Sequence, residues 1–314
     1  MIYRDEKRVV KGTVNRMGEC ETSRTVTIYG DSLPDVERFL RETPKKWTYE
    51  QSRENEASKS WDLGVGYKGA EKLAKDGWSE GAADLDHRLQ AIMPAASREA
   101  RYGHSVYGSS VNIGRYLNGN PNNMRRRGKR EAGSAPVFHI IVNAVATCMV
   151  NAQHFANYGT AIVGLIDRLE ATGKRCMVDV VFCTLLPNDG KYGDVRGVVG
   201  WNVKQANEAV DLAAVAFSIG HPAAFRRIGF AMMERLPKGT EHSGYGQSLD
   251  VHESDVIDPT DGTMLLDGVN HETSRCSTPE GALKLAIEQL NKAAVKAGHA
   301  TIDNPLIDET DAMN

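Results

Sequence analysis

The sequence carries no Walker-type phosphate loop, no Gly-x-Ser-x-Gly elbow, and no histidine pair at H-x-x-x-H or H-E-x-x-H spacing. NTPase, α/β-hydrolase and helical zinc-enzyme readings therefore have no motif to stand on, and no residue is nominated as catalytic. Its five cysteines, Cys20, Cys148, Cys176, Cys183 and Cys276, are odd in number and include no C-x-x-C pair. This pattern fits neither a secreted disulfide framework nor a close-paired structural zinc site, and it suits a reducing compartment. No apolar run approaches the roughly 18 residues needed to span a bilayer. The opening MIYRDEKRVVKG has no apolar signal core either. The expectation is a soluble, cytoplasmic protein without membrane contact. One-signed charge is also lacking: 38 basic residues against 41 acidic ones leave a formal net charge of -3. Nothing draws the whole molecule to nucleic acid, so such a contact requires a local basic patch.

What is present is ordinary globular composition, 41% hydrophobic and 25% charged over 314 residues, enough chain for one large or two modest domains. Arg24 to Tyr29 reads as a short strand. After the turn at Gly30-Asp31-Ser32, Ser32 or Asp35 caps a helix to Arg41, and Pro44 ends it. Residues 47–61 are charged and weakly periodic, which predicts surface. Short helices are predicted at Gly69–Trp78 and Ala82–Ile92. From Ala100 to Ala135 the chain is rich in Gly, Asn, Ser, Tyr and Arg, which predicts a loop and a boundary near 135.

The α/β core follows. Val137 to Val142 is a continuous apolar, β-branched run, the pattern of a strand covered on both faces. Asn151 to Ala171 repeats apolar residues at helical spacing, with Gly173 just beyond its end. Met177 to Phe182 is a second apolar strand. Strand, long helix, strand makes a parallel crossover. A third strand is predicted at Val195–Val203 and an apolar helix at Asn207–Ile219. That helix serves equally an internal core or a contact between copies in a homo-oligomer. His221-Pro222 breaks it, and a further helix runs to Leu236. Asp255–Pro259 offers a short final strand, and Thr278-Pro279 opens a last helix to about Gly298. The fold class expected is therefore α/β, with a mostly parallel central sheet flanked by helices over 136–314. Residues 1–135 form an irregular N-terminal region with a short strand, helices and a basic loop.

Candidate sites are few. The turn Asn143 to Thr147 follows the first core strand, where open parallel sheets bind ligands; the plain alternative is that Asn143 and Thr147 cap the turn and helix. Gly64-x-Gly66-x-x-Gly69 has dinucleotide-loop spacing but no apolar strand before it. Arg125, Arg126, Arg127, Lys129 and Arg130 place five cations in six residues, with Arg115 and Tyr116 upstream. Such a run grips phosphates, and a tyrosine beside it stacks on bases; its plain alternative is a solvated loop. His139 and His221 read as packed or hydrogen-bonded core residues. His252, Asp255 and Asp258 group titratable side chains near the predicted last strand, where a polar turn is the plain alternative.

The strand, small-residue turn, long helix and strand from Val137 to Cys183 resemble the start of a von Willebrand factor A-type domain. That resemblance implies a Rossmann-like fold and a divalent cation held by Asp-x-Ser-x-Ser at the turn. Here Asn143 stands at the Asp position, Val145 at the first Ser and Thr147 at the second, so the metal site is degenerate. A hard cation wants anionic oxygen ligands, and no cofactor is implied. The chain also resembles a group of uncharacterised bacteriophage and mobile-element proteins. The residues that carry this are Leu73-Ala-Lys-Asp-Gly-Trp78-Ser-Glu-Gly81, Ser110 through Gly119, Gly159 through Lys174-Arg175, and His221-Pro222 with Phe225-Arg226-Arg227. It implies a phage-type setting in the host cytoplasm and names no substrate. Two functions are expected from these readings. One is an interaction or scaffold protein whose degenerate A-type domain binds another protein. The other is a nucleic-acid-binding protein of phage DNA or RNA metabolism that uses the basic loop 125–130.

Overall fold

The structure, a computed structural model, describes residues 1–14, 20–44, 57–83, 102–106, 110–111, 116, 119–127, 137–146, 150–171, 174–186, 195–208, 210–236, 247–252, 262–269 and 274–299. A long hairpin opens the chain, β1 (Ile2–Val14) and β2 (Cys20–Gly30). Helix α1 (Leu33–Glu42) begins at Ser32, whose side chain accepts from the Asp35 amide, and stops before Pro44, as the capping signals predict. Two short helices follow, α2 (Lys59–Asp62) and α3 (Gly66–Asp76). Three small strands come next, β3 (Tyr102–Ser105), β4 (Ser110–Val111) and β5 (Met124–Arg127). The predicted crossover is β6 (Val137–Asn143), α4 (Ala152–Ala171) and β7 (Arg175–Leu186), with β6 and β7 parallel. Strand β8 (Val195–Lys204) leads to α5 (Leu212–Val215), which widens into a π turn at Ala216–Gly220. A second π turn at Ala224–Gly229 runs into α6 (Phe230–Met233). Strands β9 (Gln247–Ser248) and β10 (Met264–Leu266) precede α7 (Pro279–Lys296), capped by Thr278.

The main sheet has the order β1-β2-β8-β7-β6-β10, with β9 paired to the far end of β7. It is mixed, not mostly parallel. The pairs β2–β8, β6–β7 and β6–β10 are parallel, whereas β1–β2, β7–β8 and β7–β9 are antiparallel. The reason is chain length. A parallel return needs a crossover of a dozen or more residues, and the connections from β1 to β2 and from β7 to β8 are shorter than that. Residues from both sides of position 135 build this sheet, because β2 lies beside β8.

Strand alternation sorts the side chains. Phe138, Ile140 and Val142 of β6 and Val178, Val180 and Phe182 of β7 face the main core. α1, α3, α4, α7 and the α5–α6 segment all contribute to that core. The intervening positions Ile141, Val181 and Cys183 join a small cluster with Val198 and Val251 on the opposite face. Helix α5 starts later than the predicted 207, because Asp211 caps it by accepting from the amides of Ala213 and Ala214. The predicted strand at 255–259 lies outside the described residues; among those described, β10 ends the strand order beside β6. Trp61, predicted as surface, packs partly buried on the main core. Most of the helix predicted at 82–92 lies outside the described residues. No described helix is long and apolar enough to cross a membrane.

Candidate functional site

The first three residues of the basic run do not form the loop that composition predicts. Arg125, Arg126 and Arg127 belong to β5, the middle strand of an antiparallel sheet in the order β3-β5-β4. Arg125 pairs with both His104 and Ser110, Arg126 with Gly103, and Arg127 with Tyr102. Turn-forming residues on either side mask this from composition, because a four-residue strand flanked by Gly, Asn and Ser has no periodicity to read. Pairing with β3 holds the three arginines at strand spacing, about 3.3 Å per residue, and β4 pairs with Arg125 on the other edge. Tyr116 is 62% exposed and Val106, just after β3, is 69% exposed. Arg115, Lys129 and Arg130 lie outside the described residues.

The turn after β6 is wired internally. Asn143 is fully buried, and its Oδ1 accepts from the amides of Val145 (3.4 Å) and Cys183 (3.3 Å). Its Nδ2 donates to the Leu249 carbonyl at 2.6 Å. These bonds make the side chain a turn cap and a tie between strands, the plain alternative above. Thr147 lies outside the described residues. Residues 247–252 cross the carboxyl ends of β6 and β7. There the Leu249 amide donates to the Cys183 carbonyl and Arg196 donates to the Asp250 carbonyl. The Val251 amide donates to Asp267 Oδ1 (2.9 Å), and burial holds the Asp267 carboxyl above its usual range, with Asp250 adding to the effect. His252 is exposed beside this segment, and Asp255 and Asp258 lie outside the described residues. Among the described residues, no three His, Cys, Asp or Glu side chains group to hold a metal ion.

The Gly64-x-Gly66-x-x-Gly69 spacing serves a different anion from the one its pattern suggests. Asp62, fully buried, accepts from the amides of Ser58 and Gly64 on Oδ1 and from the Gly66 amide on Oδ2. Gly64 and Gly66 have φ of +81° and +62°, which brings their amides round to that carboxylate. Arg227 completes the set, with Nε 2.8 Å and Nη2 2.6 Å from Oδ2. The amides that would cradle a phosphate are thus already donating to a side chain of the same chain.

Sequence reasoning missed most of the buried polar chemistry. Three arginines of one apolar segment, Arg226, Arg227 and Arg235, are all at most 2% exposed. Arg226 stacks over the Trp61 ring, 4.2 Å to its centroid, and donates to the carbonyls of Trp61 and Val150. Arg235 donates to the carbonyls of Leu40, Thr43 and Ala231. On the second face of the sheet, the Asp179 carboxylate receives the Tyr29 hydroxyl, Asn202 Nδ2 (2.7 Å) and His139 Nε2 (2.5 Å). Thr263 Oγ1 lies 3.3 Å from His139 Nδ1. Burial and the Asp179 charge hold the Tyr29 phenol far above its ordinary value, so it stays a donor. His139 is therefore a hydrogen-bonded core residue, as read. So is His221, whose Nδ1 accepts from the Ala223 amide and whose ring sits edge-on to Trp78 at 4.7 Å. A signal existed for His139 and Asp179. Both stand at positions of their strands that alternate with the main-core residues, so each marks a polar stripe on the other face.

No curated protein and no solved structure matches the chain. A family model, described as a domain of unknown function (DUF7192), matches residues 11–291, which takes in the small sheet and every strand of the main sheet except most of β1. The chain belongs to the DUF7192 family.

Proposed function

We propose that the small basic sheet is the working surface and that it binds single-stranded nucleic acid. The observation that carries this reading is the position of Arg125, Arg126 and Arg127 on a strand paired with β3 along its length and with β4 at Met124 and Arg125. Positions 125 and 127 share one face of that strand, and cations held there meet a phosphate backbone without the entropy cost of ordering a loop. The exposed Tyr116 ring supports it, since aromatic rings stack on bases regardless of sequence. The test is fluorescence anisotropy with single- and double-stranded oligonucleotides over a salt series, for the wild type and for the triple variant Arg125→Gln, Arg126→Gln, Arg127→Gln. The wild type should bind the single strand with a log–log salt slope near 0.7 per phosphate contact, and the variant should lose roughly 1.4 units of that slope, two contacts' worth. Equal slopes, or no binding near physiological salt, would sink the reading.

A second reading is favoured by Asn143. It is a protein-binding scaffold with a degenerate A-type core, in the phage-type cytoplasmic setting that the resemblance implies. The β6, turn, α4, β7 order supports the A-type likeness, and an amide in place of a carboxylate supports partner binding without a metal. On this reading the thermal midpoint is the same with millimolar magnesium as with a chelator. A magnesium-dependent rise would count against it.

A further inference from the structure

The pairing register of the small sheet sorts its residues by face. Tyr102 stands opposite Arg127 and His104 opposite Arg125, with Ser110 of β4 on the other edge of Arg125. Side chains alternate along a strand, so positions 102, 104, 110, 125 and 127 share one face. The other face takes Gly103, Ser105, Val111, Met124 and Arg126. On that second face Met124 is partly buried and pairs with Ser105 and Val111, while Arg126 stands opposite a glycine.

On the first face a row of ring positions on β3 lies beside a row of cation positions on β5. Neighbours within a row are about 7 Å apart, and residues directly opposite are about 5 Å apart at Cβ. A nucleic-acid strand has the same layout, with phosphates along one line, bases along another and sugars joining them. The rows also set a side: toward β4 this face offers Ser110 and no ring. Tyrosine and histidine rings stack on bases whose faces are uncovered. In a duplex the neighbouring base pairs cover those faces, so rings placed this way select single strands.

On the reading of the basic sheet as a nucleic-acid surface, we propose that this face binds two consecutive unpaired nucleotides. Their phosphates sit on Arg125 and Arg127, and their bases stack on His104 and Tyr102. The test measures fluorescence anisotropy with the full chain and an oligothymidylate of about eight nucleotides. The comparison is an abasic oligomer of the same length, which keeps every phosphate and lacks every base. The wild type should bind the oligothymidylate more tightly. Tyr102→Leu and His104→Leu should each weaken that binding roughly 5-fold to 100-fold, with the salt slope and the affinity for the abasic oligomer unchanged. Tyr102→Phe should behave as the wild type. Arg125→Gln and Arg127→Gln should each lower the salt slope on both oligomers by about 0.7, and Arg126→Gln should not. Leucine variants that weaken both oligomers alike, or neither, would overturn the stacking face, as would a slope loss in Arg126→Gln equal to that of its neighbours. Equal wild-type affinity for the two oligomers would overturn it too, and would leave the basic sheet standing as a phosphate grip. Wild-type binding to neither oligomer would overturn both.

Discussion

Asp62 and Arg227 concentrate the cost of burying charge in one place. The carboxylate takes three backbone amides and two guanidinium nitrogens, so both charges are satisfied where water does not reach. Asp62→Ala removes the ion-paired carboxylate from a fully buried guanidinium and should cost roughly 3–5 kcal/mol, read as a lower urea midpoint at an unchanged slope. His221 makes the opposite kind of prediction. Burial lowers its pKa from 6.5 to about 4, against a smaller upward pull from Asp62. Between those values the unfolded chain binds the proton and the folded chain does not. Stability should therefore fall as the pH drops through that window and level off below it, by an amount on the order of 3 kcal/mol. The difference in urea midpoint between wild type and His221→Gln, followed from pH 7 to 4, isolates this contribution from the carboxylates. Cys176 is the inert case: burial, with the Glu170 charge behind it, pushes its thiol up to about 12. It should resist iodoacetamide at pH 8 until the protein is unfolded. The burial of His221 and Cys176 was legible from their apolar surroundings, whereas the Asp62–Arg227 pair was not, because its two partners are distant in the chain.

Elements that carry their own signals came out as read. The Ser32 and Thr278 caps, the Pro44 stop and the apolar runs of β6 and β7 are local, and local rules decide them. The antiparallel return from β7 to β8 was not read, and the sheet was expected to be mostly parallel, although the connection is too short for a crossover. The π turns at 216–220 and 224–229 were not legible. A π turn inserts an extra residue into the helical period, and an apolar segment looks the same with or without it. Just there α4 meets the first π turn through bare backbone: a Cβ on Gly159 would lie 2.2 Å from the Gly220 Cα. Gly159→Ala should force the two helices apart and destabilise by about 1–3 kcal/mol, measurable by denaturant titration. Gly119→Ala, at a position with no atom within 4 Å but a φ of +65°, separates backbone strain from crowding and should cost less.

At the scale of the molecule, the boundary near 135 divides composition and leaves the main sheet undivided. Composition reports how a segment meets water, whereas β2 is placed by its pairing with β8. A fragment of residues 136–314 would leave Arg227 without Asp62, Arg226 without Trp61, and Arg235 without the carbonyls at the end of α1. It should retain helical signal but lose near-ultraviolet dichroism and bind a hydrophobic dye; a cooperative melt of the fragment would argue for two separable units. The same pairing has a consequence in time. Arg24 lies beside Val195 and Gly30 beside Trp201, so the hairpin made first during synthesis waits for a partner that leaves the ribosome last among the strands it touches. Closing so long a loop is slow, and until it closes one edge of β2 is an open template for other chains. The yield of native protein should therefore depend on translation speed and chaperone supply more than its equilibrium stability suggests.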